Sequence, residues 1–175
     1  YDSLSADCAL VMDGGRTIGE ICVGAPSAMR MVYEIAGVAS HAGVRPEAGV
    51  SAIRAASMAI AGMRLGRIDE ETTANIGIIE GGRAPNIIPA SCRCVGGARS
   101  HDEDKLTRQV EHMRRCFEEA CYAVGAEMSV DEVSSYRAFF LPDSHPLVAM
   151  ATQVARELGH EAQTVRGGGG SDANV

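Results

Sequence analysis

The chain has no tryptophan, and aromatic residues make up only 4% of it. With so few rings on which bases could stack, single-stranded nucleic acid is a poor partner. Positive charge is also short: 16 Lys and Arg stand against 23 Asp and Glu, a formal charge of −7, the wrong sign for gripping a phosphate backbone. No apolar run approaches the roughly 18 residues that a membrane helix needs. Nor do the first residues show the basic stretch, apolar run and small-residue cleavage site of a secretory leader. Cys8, Cys22, Cys92, Cys94, Cys116 and Cys121 are scattered through apolar contexts without CxxC spacing, as reduced thiols of a cytoplasmic protein would be. These absences predict a cytoplasmic protein whose partners are small molecules or other proteins, with no nucleic acid and no membrane.

What is present is 46% apolar residue content in 175 positions, enough for one packed domain, or one small domain with pieces of another. "CALVM", 8 to 12, is apolar without alternation and runs into "DGG", as a strand buried on both faces does. From residue 28 the pattern changes. Met29, Met31, Tyr33 and Ile35 alternate with Arg30 and Glu34, predicting a strand with one wet face. Pro46 and Glu47 then suit a helix start, and Val50, Ile53, Ala56, Ile60 and Met63 recur at helical spacing.

Residues 72–82 and 88–100 read as two strands around the loop "GGRAPN". Ser100 and Glu103 have capping-box spacing, Leu106, Val110, Met113, Phe117, Ala120 and Val124 trace one helical face, and Gly125 stands at the exit. A fourth strand over 126–136 completes the order β-α-β-β-α-β. This predicts an α+β, ferredoxin-like module, a four-stranded antiparallel sheet with both helices on one face. Beyond it, Leu147, Ala151, Val154 and Leu158 stripe a third helix that stops at Gly159. A short polar strand and the loop "RGGGGSDANV" follow. The ends do not share the character of the middle, so we expect pieces of an α/β domain at 1–26 and 138–175 around an inserted domain at 27–137.

"VMDGG", "ASHAGVRPEAGVSAI", "TTANIGIIEGGRAPNIIPASC", "GARS" and "RGGGGSDANV", in this order and spacing, resemble the dizinc exopeptidase family that contains peptidase T, bacterial glutamate carboxypeptidase and succinyl-diaminopimelate desuccinylase. Peptidase T-like members are the most similar. The resemblance covers essentially the whole chain. It implies that 27–137 is a lid that carries a homodimer contact, inserted in a catalytic domain that binds two zinc ions and hydrolyses small peptides. Most of the metal ligands and the general base have no counterpart in these 175 residues, so the segment alone is expected to be inactive.

Four places could carry chemistry. Asp13, at the end of an apolar run and before two glycines, offers a carboxylate; an ordinary turn is the alternative, and the resemblance implies a zinc ligand. His41 sits in an Ala/Gly-flanked loop, and the resemblance implies a donor to the oxyanion of the partner subunit's substrate. Asn86 offers donor and acceptor between Pro85 and Pro89, where the resemblance implies substrate contact. Arg166 can take a peptide carboxylate through its planar fork, with the N–H groups of Gly168, Gly169, Gly170 and Ser171 as an anion nest. A phosphate loop needs Lys-Ser/Thr after its last glycine, and Ser-Asp stands there instead. One departure from the family's pattern is Gly97, where a Glu is expected before "ARS". The rival reading is a freestanding ferredoxin-like dimerisation or regulatory module that senses a small molecule.

Overall fold

The structure, a computed structural model, describes residues 8–12 and 17–174. Ser27–Tyr136 forms one compact unit, and the described residues on either side of it form a second.

The larger unit is built on four ten-residue strands: β2 (Ser27–Ala36), β5 (Thr72–Gly81), β7 (Ser91–Ser100) and β8 (Glu127–Tyr136). They pair antiparallel in the order β5-β7-β2-β8, with the two-residue β4 (Gly66–Arg67) outside β5. Two helices, α1 (Ala52–Gly62) and α2 (Glu103–Val124), supply the remaining elements of the β-α-β-β-α-β order. The fold class expected from the sequence is the one observed. Strand alternation sends Met31, Tyr33 and Ile35 of β2 and Cys92, Cys94 and Ala98 of β7 to the helical side. There they meet Leu106, Val110, Met113 and Phe117 of α2, all buried. The rings of Tyr33 and Phe117 stack with centroids 3.9 Å apart. Burial pushes the Tyr33 hydroxyl and the Cys92, Cys94 and Cys121 thiols up, Cys94 to about 12, so these sulfurs are packing groups.

Two helix starts differ from expectation. Pro46 opens only a 3-10 turn, Pro46–Ala48, because Val50 is drawn away to bridge Val38. α1 begins at Ala52, and the Ser51 side chain accepts from the Arg54 N–H. Its buried face is made of alanines 52, 55, 56 and 59, while Ile53, Ile60 and Met63 pack at the margin. For α2 the cap is Asp102, whose carboxylate accepts from the Lys105 N–H at 2.9 Å. Ser100 and Glu103 are not available to cap each other. The Ser100 hydroxyl meets Thr72 Oγ1 at 3.0 Å and accepts from the Asp102 N–H, and Glu103 accepts from Ser27 Oγ. The exit is as expected: Gly125 takes φ +75° and its N–H reaches back to Tyr122 O, a left-handed stop that favours glycine.

In the smaller unit β1 (Glu20–Ala25) lies between β10 (Gln163–Arg166), parallel to it, and β9 (Phe139–Phe140), antiparallel. The sequence reading did not foresee β1 and placed a strand at 8–12 instead. Those residues carry no regular structure and are exposed, since no strand among the described residues pairs with them, and a doubly buried strand needs neighbours on both sides. α3 (Pro146–Glu157) is present, but the expected Leu147/Ala151/Val154/Leu158 stripe is not its buried face. Val148 is the residue it buries.

Candidate functional site

Two of the sequence-selected residues are brought together by a small ladder. After β2, the Gly37 N–H donates to Ala90 O at 2.8 Å and Val38 bridges Val50. At Gly37 a Cβ would lie 2.1 Å from Val50 O, so only glycine lets the two backbones close. Beyond it β3 (Ser40–His41) pairs antiparallel with β6 (Ile87–Ile88), His41 opposite Ile87. The Ala42 N–H then donates to Asn86 O at 2.9 Å. His41 and Asn86, 45 positions apart in the chain, thus sit on adjoining strand ends.

The His41 loop is tightly wound. His41 O accepts from the Val44 and Arg45 N–H groups at 3.1 and 3.0 Å, and Ser40 Oγ donates to Arg45 O at 2.5 Å. The Gly43 N–H donates to His41 Nδ1 at 3.2 Å. An Nδ1 that accepts carries no proton, so the neutral ring bears its proton on Nε2. The side chain is exposed, as is that of Asn86. The ladder joins their backbones, with His41 opposite Ile87 and Ala42 bonded to Asn86; the imidazole offers an N–H donor and the carboxamide a donor and an acceptor.

The second group lies in the smaller unit. Arg166 ends β10, opposite Gly24 of β1, and the Gly167 N–H donates to Gly24 O at 2.8 Å. Its guanidinium lies 4.3 Å above the Phe140 ring, which orients the fork by a cation–π contact. Past the glycines, Ser171 opens a 3-10 turn, Asp172–Asn174. The Ser171 N–H donates to Asn174 Oδ1 at 2.9 Å, its Oγ accepts from the Ala173 N–H, and Asn174 Nδ2 donates to Arg137 O at 2.7 Å. The Ser171 amide is therefore committed inside the turn and is not an open donor of the nest expected over residues 168–171. Phe140, Gly43 and Asn174 were not foreseen, because nothing in their local spacing links them to their distant partners.

Asp13 lies outside the described residues. Among those described, no three His, Cys, Asp or Glu side chains come together to hold a metal ion, whereas a zinc centre takes three or four protein ligands. The donor set of the described residues does not fit a self-contained metal site. No helix of the described residues is long and apolar enough to cross a membrane.

This arrangement of sheet, paired helices and flanking unit recurs in known proteins. Residues 23–124 match the family model of the peptidase dimerisation domain of M20 peptidases. The chain belongs to this family. It is 41% identical over 172 residues to the uncharacterized protein YqjE of Bacillus subtilis strain 168, covering 98% of this chain and 46% of that one. Among solved structures it resembles a tripeptidase from Staphylococcus aureus subsp. aureus Mu50, with a TM-score of 0.92 and 40% identity over 98% of this chain and 46% of that chain. It also resembles the aminopeptidase PepT of Bacillus cereus ATCC 10987, with a TM-score of 0.85 and 41% identity over 93% of this chain and 43% of that chain. The chain thus spans about half the length of the relatives it matches.

Proposed function

We propose that the chain is the lid and dimerisation portion of a peptidase T-like metallopeptidase that hydrolyses small peptides in the cytoplasm, working as a homodimer. The observation that carries this reading is the β3–β6 ladder. It sets the exposed His41 beside Asn86 in a chain whose relatives of 40% and 41% identity include a tripeptidase and an aminopeptidase. In this reading the His41 Nε2–H donates a hydrogen bond to the oxyanion that develops on the partner subunit's substrate, and Asn86 contacts the substrate. Arg166, steadied over Phe140, takes the peptide's terminal carboxylate with help from Gly168, Gly169, Gly170 and the Ser171 turn. Two zinc ions belong to the complete protein, with Asp13 as one ligand. Among the described residues no three His, Cys, Asp or Glu side chains gather, and the 175 residues alone are expected to be inactive.

The test is turnover of tripeptides by the full-length protein in zinc. His41→Ala is expected to lower kcat by about 10²- to 10³-fold, the usual cost of one oxyanion donor, and unchanged turnover would sink the proposed role. Mixing His41→Ala subunits with Asp13→Ala subunits adds a stricter check. If donor and metal act across the dimer, mixed dimers regain one competent site. If both act within one subunit, mixing restores nothing.

A further inference from the structure

We propose that Ile87 gives the His41 site a preference for peptides with an apolar side chain next to the scissile bond. This preference belongs to the peptidase reading of the site and holds only with it. In the β3–β6 ladder His41 stands directly opposite Ile87, and Ser40 opposite Ile88. Residues directly opposite in an antiparallel pair project to the same face, with Cβ atoms about 4.5 to 5.5 Å apart, and the next pair along projects to the other face. The two faces differ in what they meet. A Cβ added at Gly49 would lie 2.8 Å from Ile88 Cβ, so Ile88 closes over the Gly49 backbone. Ile87 is turned the other way and stays 40% exposed beside the exposed imidazole.

A single exposed isoleucine is ordinary on a protein surface. This one adjoins a hydrogen-bond donor, and the loops on either side add further apolar groups. Val44, whose N–H donates to His41 O at 3.1 Å, is 70% exposed, and Pro85, next to Asn86, is exposed as well. A few polar side chains set among apolar ones is the composition of a small-molecule site, where the polar groups orient and the apolar ones fill. A donor must approach the oxyanion to about 2.7 to 3.1 Å. A side chain one cross-strand spacing from the imidazole then comes within reach of the residues that flank that carbonyl. Isoleucine has no hydrogen-bonding group, so the substrate group it suits is aliphatic. The charged residues of the two loops are Arg45, Glu47 and Arg83, and they make an acidic side chain the competing preference.

Turnover by the full-length protein in zinc of tripeptides with Leu, Ser or Glu at the first or second position, and glycine elsewhere, tests the idea. At one of these positions kcat/KM is expected to be at least about 10-fold higher for Leu than for Ser, in line with what a few carbons contribute in an apolar pocket. Ile87→Ala should cut that Leu-to-Ser ratio by about 10-fold, and Ile87→Leu, which conserves volume, should keep it. The ratio is read within each variant, so a lower yield of folded protein does not mimic the effect. Equal turnover of the Leu and Ser peptides, or a ratio that survives Ile87→Ala, overturns the preference and leaves the peptidase reading standing. Glu favoured over Leu overturns it in favour of Arg45 and Arg83. An Ile87→Ala protein that loses all substrates equally and becomes monomeric by solution mass shows Ile87 to be a subunit contact, which also overturns it. No turnover of any peptide removes the peptidase reading, and the preference with it.

Discussion

The Gly43 N–H points at His41 Nδ1, 3.2 Å away, so the loop that carries the imidazole also selects its tautomer. We expect long-range 1H–15N spectra of the neutral ring to show His41 protonated at Nε2 and bare at Nδ1. Gly43→Pro, which removes that N–H, should shift the ring toward a tautomer mixture. An Nδ1–H signal in the unmodified protein would contradict the arrangement.

The ladder that joins His41 to Asn86 depends on the backbone closure at Gly37. A Cβ there would sit 2.1 Å from Val50 O, a distance no packed atom pair tolerates. Gly37→Ala should cost on the order of 1 to 3 kcal/mol, as other forced overpacking does. Thermal unfolding would show it, and loss of amide protection at Ala42 would locate the damage in the β3–β6 pairing. A wild-type melting curve would mean that the close approach is not required.

Phe117 is the largest apolar group that α2 inserts into the core. It is fully buried and stacked on Tyr33. Truncation to alanine removes both the burial and the ring contact, so we expect Phe117→Ala to destabilise the larger unit by about 3 to 5 kcal/mol in urea unfolding. Tyr122, on the same helix but 90% exposed, should lose less than about 0.5 kcal/mol on the same change.

His112 gives stability a pH dependence whose direction can be fixed. Its Nε2 accepts from the Arg64 N–H at 3.1 Å, a bond that only the unprotonated nitrogen can make. Partial burial first, then the Arg64 and Arg115 charges, hold its pKa below the ordinary 6.5. A base whose folded pKa is depressed is neutral in both states at high pH and resists protonation in the folded one. Its contribution is therefore complete above pH 6.5 and is lost as the pH falls through the lower folded value. His112→Gln should flatten the slope of stability against pH in that window. An unchanged slope would show that the imidazole does not contribute.

Thiol reactivity should divide by burial. Cys8 and Cys22 are exposed, whereas Cys92, Cys94 and Cys121 are buried, and desolvation disfavours the thiolate of all three. A chromogenic disulfide reagent should titrate the two exposed sulfurs quickly in the native protein and the buried three only in denaturant. Rapid reaction at Cys94 would contradict its place in the core.

Alternation at Met31, Tyr33 and Ile35 and the long period through Leu106, Val110, Met113 and Phe117 were enough to foretell the split β-α-β fold and the faces that β2 and α2 bury. These patterns are local, since a strand or helix exposes its periodicity within one window of sequence. What escaped was every feature decided by a partner elsewhere in the chain. The α2 cap passed from Ser100 to Asp102 because Thr72 and Ser27 claimed Ser100 and Glu103. The apolar run 8–12, read as a strand, found no pairing neighbour among the described residues, while the less conspicuous Glu20–Ala25 lies between two strands from beyond residue 138.

The candidate site divides in the same way. The sequence by itself determined which groups are available: an imidazole at 41, a carboxamide at 86, a guanidinium at 166 before four glycines. It also set the acidic balance, a formal charge of −7. Only the tertiary structure decided that the backbones at 41 and 86 adjoin, that Phe140 underlies Arg166, and that Asn174 takes the Ser171 amide. The physical reason is that hydrogen bonds, ring contacts and fields depend on distances of a few ångströms. Those distances are fixed by strand register and backbone closure rather than by separation along the chain.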